Sequence, residues 1–256
     1  MQCIISKNDE ALSFNEFYLL ESECFPSEPY NEIQFNDIVR GDFWTARVNG
    51  SLAGFVNAIT HEDRIHLGRI EVHSQFRKAG IGGLLVDKVI AFAELKKSPC
   101  VTLTVRTNNT PAYKLYLKKG FEVYGYKNRY AVPVHHLPEP SSADFIQTGE
   151  GKNHPVSFVI NGHDVGTGRF NYQIGGCKDF ILVNPSADIL NVLSSIKTKL
   201  KPGSKNLYVM TEDLKTIKAL KALAFAVETE MADMKYMISD EKNLGDDLYG
   251  NQRTSH

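Results

Sequence analysis

Val72-His73-Ser74-Gln75-Phe76-Arg77-Lys78-Ala79-Gly80-Ile81-Gly82 is the stretch on which the fold turns. It ends an apolar run, Ile70-Glu71-Val72, and opens a segment in which Ile81, Leu85, Val89 and Phe92 recur at helical spacing. A strand, a glycine turn and a helix over 80–97 are predicted in that order. The first amides of a helix have no partner inside it, and its N-terminus carries about half a positive charge. Glycines let a ligand approach the backbone without a Cβ in the way. The turn is therefore a predicted seat for a phosphate-bearing group.

The neighbouring sequence reads as alternating short elements. The stretch to about Arg40 reads as helical, broken at Phe25-Pro26-Ser27-Glu28-Pro29. Trp44–Val48 and Leu52–Thr60 read as strands joined by Asn49-Gly50, a two-residue hairpin signal. Ile65–Val72 is the strand before the turn. Ser98-Pro99 ends the helix after it, and Val101–Val105 has the β-branched content of a buried strand. Asn108-Asn109-Thr110-Pro111 starts a further helix, with proline suited to its first turn, and Gly120 stops it. Phe121–Tyr126 and Arg129–Val134 read as two more strands. Residues 135–155 hold three prolines and many polar residues and read as a linker, and the tail after Tyr236 is polar.

The chain has 256 residues, 42% hydrophobic and 23% charged, enough for a packed core in one large or two modest domains. Its net charge of −1 gives no general attraction to nucleic acid or to an anionic membrane. No apolar window approaches a membrane span, and Met1–Lys7 lacks a signal-peptide plan. Cys3, Cys24, Cys100 and Cys177 are widely separated, with no Cys-x-x-Cys pair, so no metal site is expected. Free thiols and a cytoplasmic location are the expectation.

A second pattern, Asn109-x-x-Ala112-x-x-Leu115-Tyr116-x-x-x-Gly120-Phe121, lies about 30 residues after the glycine turn. With the two patterns on these elements, residues 1–135 resemble the GNAT acyltransferase superfamily. One departure is His73-Ser74, where a proline-containing step is common. The resemblance implies an α/β (α+β) fold, a mixed and mostly antiparallel sheet flanked by helices. It implies acetyl-CoA as acyl donor, with no metal. It assigns the pyrophosphate to amides of Arg77, Lys78, Ala79, Gly80, Ile81 and Gly82. It assigns the pantetheine arm to the backbone at Val72 and to Asn109, and a place near the thioester sulfur to Tyr116.

Acyl transfer to an amine involves two proton events. An alkyl amine of pKa near 10.4 is protonated at pH 7, and freeing its lone pair costs about 4.6 kcal/mol. A base takes that proton, and an acid near the sulfur helps the thiolate leave. Tyr116 is the expected acid, against the plainer reading of a core tyrosine. Glu71, on the strand beside the site, is the expected base, with His73 on the same face or a base reached through water as alternatives. Glu21, Glu23, Glu28 and Glu32 cluster at the helix break, a pocket for a cationic amine or an ordinary solvated face.

The second half repeats the first. Val48-Asn49-Gly50 returns as Ile160-Asn161-Gly162, and Gly54 as Gly166, 112 residues on. Leu103 returns as Leu207 and Phe121 as Phe225, 104 residues on, and the helix 82–97 matches 186–201 at that same offset. The eight lost residues fall between Gly54 and Gly82, and the short Val183-Asn184-Pro185-Ser186 step points to loss of the phosphate turn. Tyr116 becomes Leu220 and Asn109 becomes Asp213. The expected order is a catalytic domain at 1–135, a linker at 136–154, a smaller, silent GNAT-like domain of about 85 residues at 155–238, and a tail at 239–256. The repeat lacks the initial helices, so its sheet is expected to pack on the first domain or, in a homodimer, on another copy. The expected function is N-acetylation of a small molecule, peptide or protein amine, with a coenzyme A-binding sensor or scaffold as the alternative.

Overall fold

The computed structural model describes residues 2–26, 29–139, 143–149, 153–172 and 175–238. In chain order these form β1 (Cys3–Lys7), α1 (Phe14–Cys24), α2 (Glu32–Val39), β2 (Asp42–Val48), β3 (Ser51–Thr60), β4 (Ile65–Val72), α3 (Ile81–Leu95), β5 (Cys100–Arg106), α4 (Thr110–Lys118) and β6 (Glu122–Pro133). Then come β7 (Ala143–Gln147), β8 (His154–Ile160), β9 (His163–Asn171), β10 (Gly176–Leu182), α5 (Pro185–Lys197), β11 (Asn206–Thr211), α6 (Leu214–Ala222) and β12 (Val227–Met237). The sheet is mixed and mostly antiparallel, and helices flank it. Two compact units share these elements, and neither is continuous in sequence.

The first unit takes residues 2–104, 111–124 and 234–238. Its strands run β1-β2-β3-β4-β5, antiparallel up to the parallel β4–β5 pair. On one face lie α1 and α2. Each opens with a capping box, Ser13 with Glu16 and Asn31 with Gln34, which satisfies amides the helix leaves unpaired. Their apolar sides bury Phe17, Leu20, Phe35 and Ile38 against Phe43 and Phe55 of the sheet. Against the sheet α3 buries Ile81, Leu85, Val89 and Phe92, the last edge-on to Trp44. The unit is completed from far along the chain: Tyr236 of β12 packs on Phe121 at 5.6 Å, and the N–H of Ile238 donates to Pro99 C=O at 3.0 Å.

The second unit takes residues 105–110 and 125–233. Here β6 runs antiparallel to β11, from Asn128↔Thr211 to Pro133↔Asn206, and the order continues β11-β10-β9-β8-β7. Phe158, Phe170, Phe180, Leu193, Ile196, Leu207 and Leu220 form its core. Element for element, β7 to β12 with α5 and α6 repeat β1 to β6 with α3 and α4, and among the described residues there is no counterpart of α1 or α2.

Several expectations need correction. Residues 3–7, read as part of a helical stretch, are an edge strand paired with β2; so short a segment has no helical period to read. The two strands expected over 121–134 are one, Glu122–Pro133, which runs unbroken through Lys127 and Asn128. The stretch read as a linker contains β7, paired with β8, so the repeat begins at Ala143 rather than at Pro155 and is longer than the expected 85 residues. The tail from 239 lies outside the described residues.

Candidate active site

The turn after β4 is shaped by two residues in left-handed conformations, Lys78 at φ 65° and Gly80 at φ 83°. Left-handed residues on either side of Ala79 are a backbone alternation from which anion-binding nests are built. The first bond of α3 runs from Leu84 N–H to Gly80 C=O at 3.1 Å. No described main-chain oxygen takes the amides of Lys78 to Gly83, and no side chain caps the helix. A Cβ at Gly82 would stand 3.3 Å from Leu115 and 3.6 Å from Val72, so glycine lets α3 pack close to α4 and β4. One expected donor falls away: Arg77 N–H donates to Ser74 C=O at 3.2 Å, so the cradle runs from Lys78 to Gly83.

The Arg77 side chain also has protein partners. Its Nε donates to Val72 C=O at 3.0 Å, and its Nη2 lies 3.4 Å from Glu23. Glu23 Oε1 accepts from Ser74 N–H at 2.6 Å, and His73 Nε2 stands 3.3 Å from Glu23 Oε2. Burial works to raise the Glu23 pKa, but Ser74, His73 and Arg77 outweigh it and hold the carboxyl below its usual range. The end of α1 is thereby pinned to the turn.

Beside the turn the sheet opens. Parallel pairing of β4 and β5 is confined to Ile65↔Val101 and His66↔Thr102. The remainder of β4 is free of that ladder, an edge with backbone donors and acceptors for an amide-bearing chain. A bulge on the β3 side accompanies this: Asn57 Oδ1 accepts from Arg69 N–H at 2.6 Å as the register shifts. Tyr116 on α4 is 4% exposed, with its ring 5.8 Å from Phe121. Burial raises its hydroxyl pKa beyond the ordinary tyrosine range, so it keeps its proton. Asn109 precedes α4, its N–H on Arg106 C=O at 2.9 Å, in the 105–110 stretch of the second unit.

Glu71 stands opposite Phe55, on the face that α1 and α2 cover. It is 2% exposed, and neither carboxyl oxygen has a hydrogen-bond partner among the described residues. Burial, then the facing Glu21 carboxyl, holds it well above the usual carboxylate range; Arg69 offsets this in part. Glu21 is fully buried and takes Arg69 Nη2 at 2.6 Å and Nε at 3.2 Å, both on Oε1. The Arg69 guanidinium lies 3.7 Å from the Phe25 ring centroid and 4.1 Å from that of Tyr30. Cys24 Sγ lies 3.8 Å from Val72 O, its thiol pushed up by burial despite Arg77. Of the acidic residues read as a cluster, Glu21 is buried, Glu23 is exposed and bonded to the turn, and Glu28 lies outside the described residues. Sequence reading missed Arg69. The signal was present, since Arg69 and Glu71 alternate on one face of a strand.

Residues 12–121 match the acetyltransferase (GNAT) family model. They form a GNAT domain. The human (Homo sapiens) N-acetylaspartate synthetase is 36% identical over 93 residues, 36% of this chain and 31% of that protein. The chain thus spans about a third of the length of the curated relatives it matches most strongly. Two solved structures share the fold over 93% of this chain. One is a tandem GNAT protein from the clavulanic acid biosynthesis pathway, covered over its whole length, with a TM-score of 0.68 at 11% identity. The other is a putative acetyltransferase from Pyrococcus horikoshii, covered over 90%, with a TM-score of 0.67 at 12% identity.

Against the GNAT domain, the second unit keeps the frame and lacks the glycine turn. His73 N–H donates to Ala53 C=O at 3.0 Å, and Val183 N–H to Val165 C=O at 2.8 Å. Phe121 N–H donates to Tyr116 C=O at 3.0 Å, and Phe225 N–H to Leu220 C=O at 3.1 Å. Between strand and helix, however, only Val183 and Asn184 stand where the GNAT domain has residues 73–80. Pro185 opens α5, Leu220 is fully buried, and Ile181 takes the place of Glu71. Asp213, at the place of Asn109, caps α6 by accepting from Thr216 N–H at 2.7 Å.

Proposed function

We propose that the chain is an acetyl-CoA-dependent N-acetyltransferase acting on an amine of a small molecule, peptide or protein. The observation that carries this reading is the row of unpaired amides from Lys78 to Gly83 beside a β4 edge that β5 leaves open. The nest and helix N-terminus suit a pyrophosphate, and Gly80 leaves open space where a side chain would stand. The strand edge suits an uncharged arm with amide groups. Bound there, acetyl-CoA supplies the acetyl group as a thioester.

The protein's share is binding and proton handling. Glu71, with a raised proton affinity, accepts a proton from the acceptor nitrogen. Tyr116, kept protonated by burial, donates from its hydroxyl to the departing sulfur. One N–C bond forms and one C–S bond breaks. Of the two protons an ammonium acceptor loses, one reaches the sulfur and one leaves through Glu71 to solvent. Asn109 is assigned to the cofactor arm on the family pattern alone. The repeat from β7 to β12, with a two-residue step in place of the turn and Leu220 in place of Tyr116, is assigned no catalytic part.

The test is thiol release from acetyl-CoA across a panel of amines, with mass spectrometry of the products. Turnover with at least one amine, lost in Glu71→Gln and slowed in Tyr116→Phe, is expected. Tight coenzyme A binding with no acetylated product from any amine sinks the enzyme reading and leaves the sensor.

A further inference from the structure

We infer that the Asn57 side chain clamps an extra residue into β4 and so aims Glu71 at the face beneath α1, which makes Asn57 a positioning residue for the base. Its part in turnover rests on the reading of Glu71 as that base, whereas the clamp rests on strand register. Trp44, edge-on to Phe92 of α3, stands opposite Val56, and Val56 stands opposite Ile70. Two residues along β3, Ala58 stands opposite Leu67. Leu67 and Ile70 therefore share the α3 face although they are three residues apart. Asn57 of β3 faces both Gly68 and Arg69, one residue against two. Side chains alternate along a strand, so a regular β4 would carry Arg69 and Glu71 on the α3 side with Leu67. The extra residue turns both over, and Glu71 lies opposite Phe55 of the α1–α2 core.

Asn57 is fitted to this bulge. It is buried, and it faces the same way as its partner on β2, Phe43. Its Oδ1 accepts from Arg69 N–H at 2.6 Å, an amide that the extra residue displaces from the regular ladder. A backbone amide only donates, so the side-chain atom that meets it is the oxygen. Gly68 makes the room: a Cβ there would stand 2.7 Å from Oδ1 and 3.0 Å from Nδ2 of Asn57. With the clamp in place, neither Gly68 nor Arg69 takes a positive φ. The second unit has a bulge at the comparable place and no such clamp. There Asp179 and Phe180 stand against Gly168, which has no side chain to offer, and Asp179 is left-handed at φ 49°.

The experiment uses the full chain with Asn57→Leu, close in size but without an acceptor, and Asn57→Asp, which keeps an oxygen at that place. Should Asn57→Leu fail to fold, Gly68→Ala, which pushes the Asn57 amide aside from the other strand, replaces it with the same expectations. Amide hydrogen exchange by NMR reads the clamp: Arg69 N–H is expected to exchange about tenfold faster in Asn57→Leu and near the parent rate in Asn57→Asp. Turnover of acetyl-CoA with a reactive amine reads the aim: kcat is expected to fall by about tenfold or more in Asn57→Leu, with KM for acetyl-CoA little changed and most of the loss restored in Asn57→Asp. In a Glu71→Gln background, Asn57→Leu should remove little more, because it acts through Glu71. Unchanged Arg69 exchange in Asn57→Leu overturns the clamp. No loss of kcat, equal losses in Asn57→Leu and Asn57→Asp, or a loss that adds in full to that of Glu71→Gln overturns the positioning role. Full turnover in Glu71→Gln alone fails the base reading instead, and Arg69 exchange still decides the clamp.

Discussion

The step from β4 to α3 and the step from β10 to α5 start from the same frame and end in different chemistry. Both leave a strand whose next residue bonds back to the neighbouring strand, through His73 in one case and Val183 in the other. Both enter a helix that covers the sheet with apolar side chains at matching positions. Between these fixed points one unit has residues 73–80 and the other only 183–184. What the longer segment adds is backbone: left-handed Lys78 and Gly80, and a row of amides that no described main-chain oxygen takes. The packing core tolerates either connection. Only the longer one leaves a row of amides without main-chain partners, so the two units part at a single turn.

The largest effect should come from cutting the first turn to the length of the second. Deleting residues 74–79 is expected to abolish coenzyme A binding by calorimetry and bring thiol release to background, while the far-ultraviolet circular dichroism spectrum persists. Retained binding would place the phosphate elsewhere and undo the comparison.

Next, Tyr116 and Leu220 occupy the same place in the two units. Tyr116→Phe should lower kcat by about a hundredfold with KM little changed. Leu220→Ala should cost about 3 kcal/mol of stability, read by denaturant unfolding, because it opens a cavity in a core. Its KM for acetyl-CoA should not move. A large kcat loss from Leu220→Ala would show that the second unit takes part in the chemistry.

A third contrast concerns pH. The folded state raises the Glu71 pKa above its ordinary 4.5, so folded protein binds that proton more tightly than unfolded chain. Its penalty on stability is absent below about pH 4.5, grows as pH rises toward the raised value, and is constant beyond it. Glu71→Gln should therefore melt higher than the parent, with a gap that opens above about pH 4.5 and then levels. An equal gap at all pH values in thermal scans would remove the ionisation argument.

The smallest effect should be a matched one. Asn49-Gly50 and Asn161-Gly162 are both in left-handed conformations, with φ of 51° and 86° in one turn and 51° and 80° in the other. Open space surrounds both glycines, so backbone strain alone opposes a methyl group. Gly50→Ala and Gly162→Ala should each cost about 1 kcal/mol in unfolding experiments. A marked difference would show that the two hairpins are not equivalent.

What could be read in the sequence was what repeats locally. The glycine turn, the Asn-Gly hairpins and the apolar stripe of α3 each announce themselves within a dozen residues. The lost turn was legible too, because a change of offset within a repeat is arithmetic. Strands β1 and β7 were not, since five-residue edge strands owe their conformation to the partner they pair with. The Glu21–Arg69 contact joins residues 48 apart and depends on how α1 lies over β4. An acidic cluster in the sequence does not say which members turn inward. The exchange of strand ends between units likewise leaves no local mark.

That exchange bears on how the protein is made. The GNAT domain's own unit is finished by Met234–Met237, synthesised about a hundred residues after Tyr124. At ribosomal speeds of about 5–20 residues per second, this is a wait of about ten seconds. During it, Phe121 lacks the ring of Tyr236 that packs against it in the folded protein. The first unit thus reaches its full set of contacts only after the second repeat has been translated.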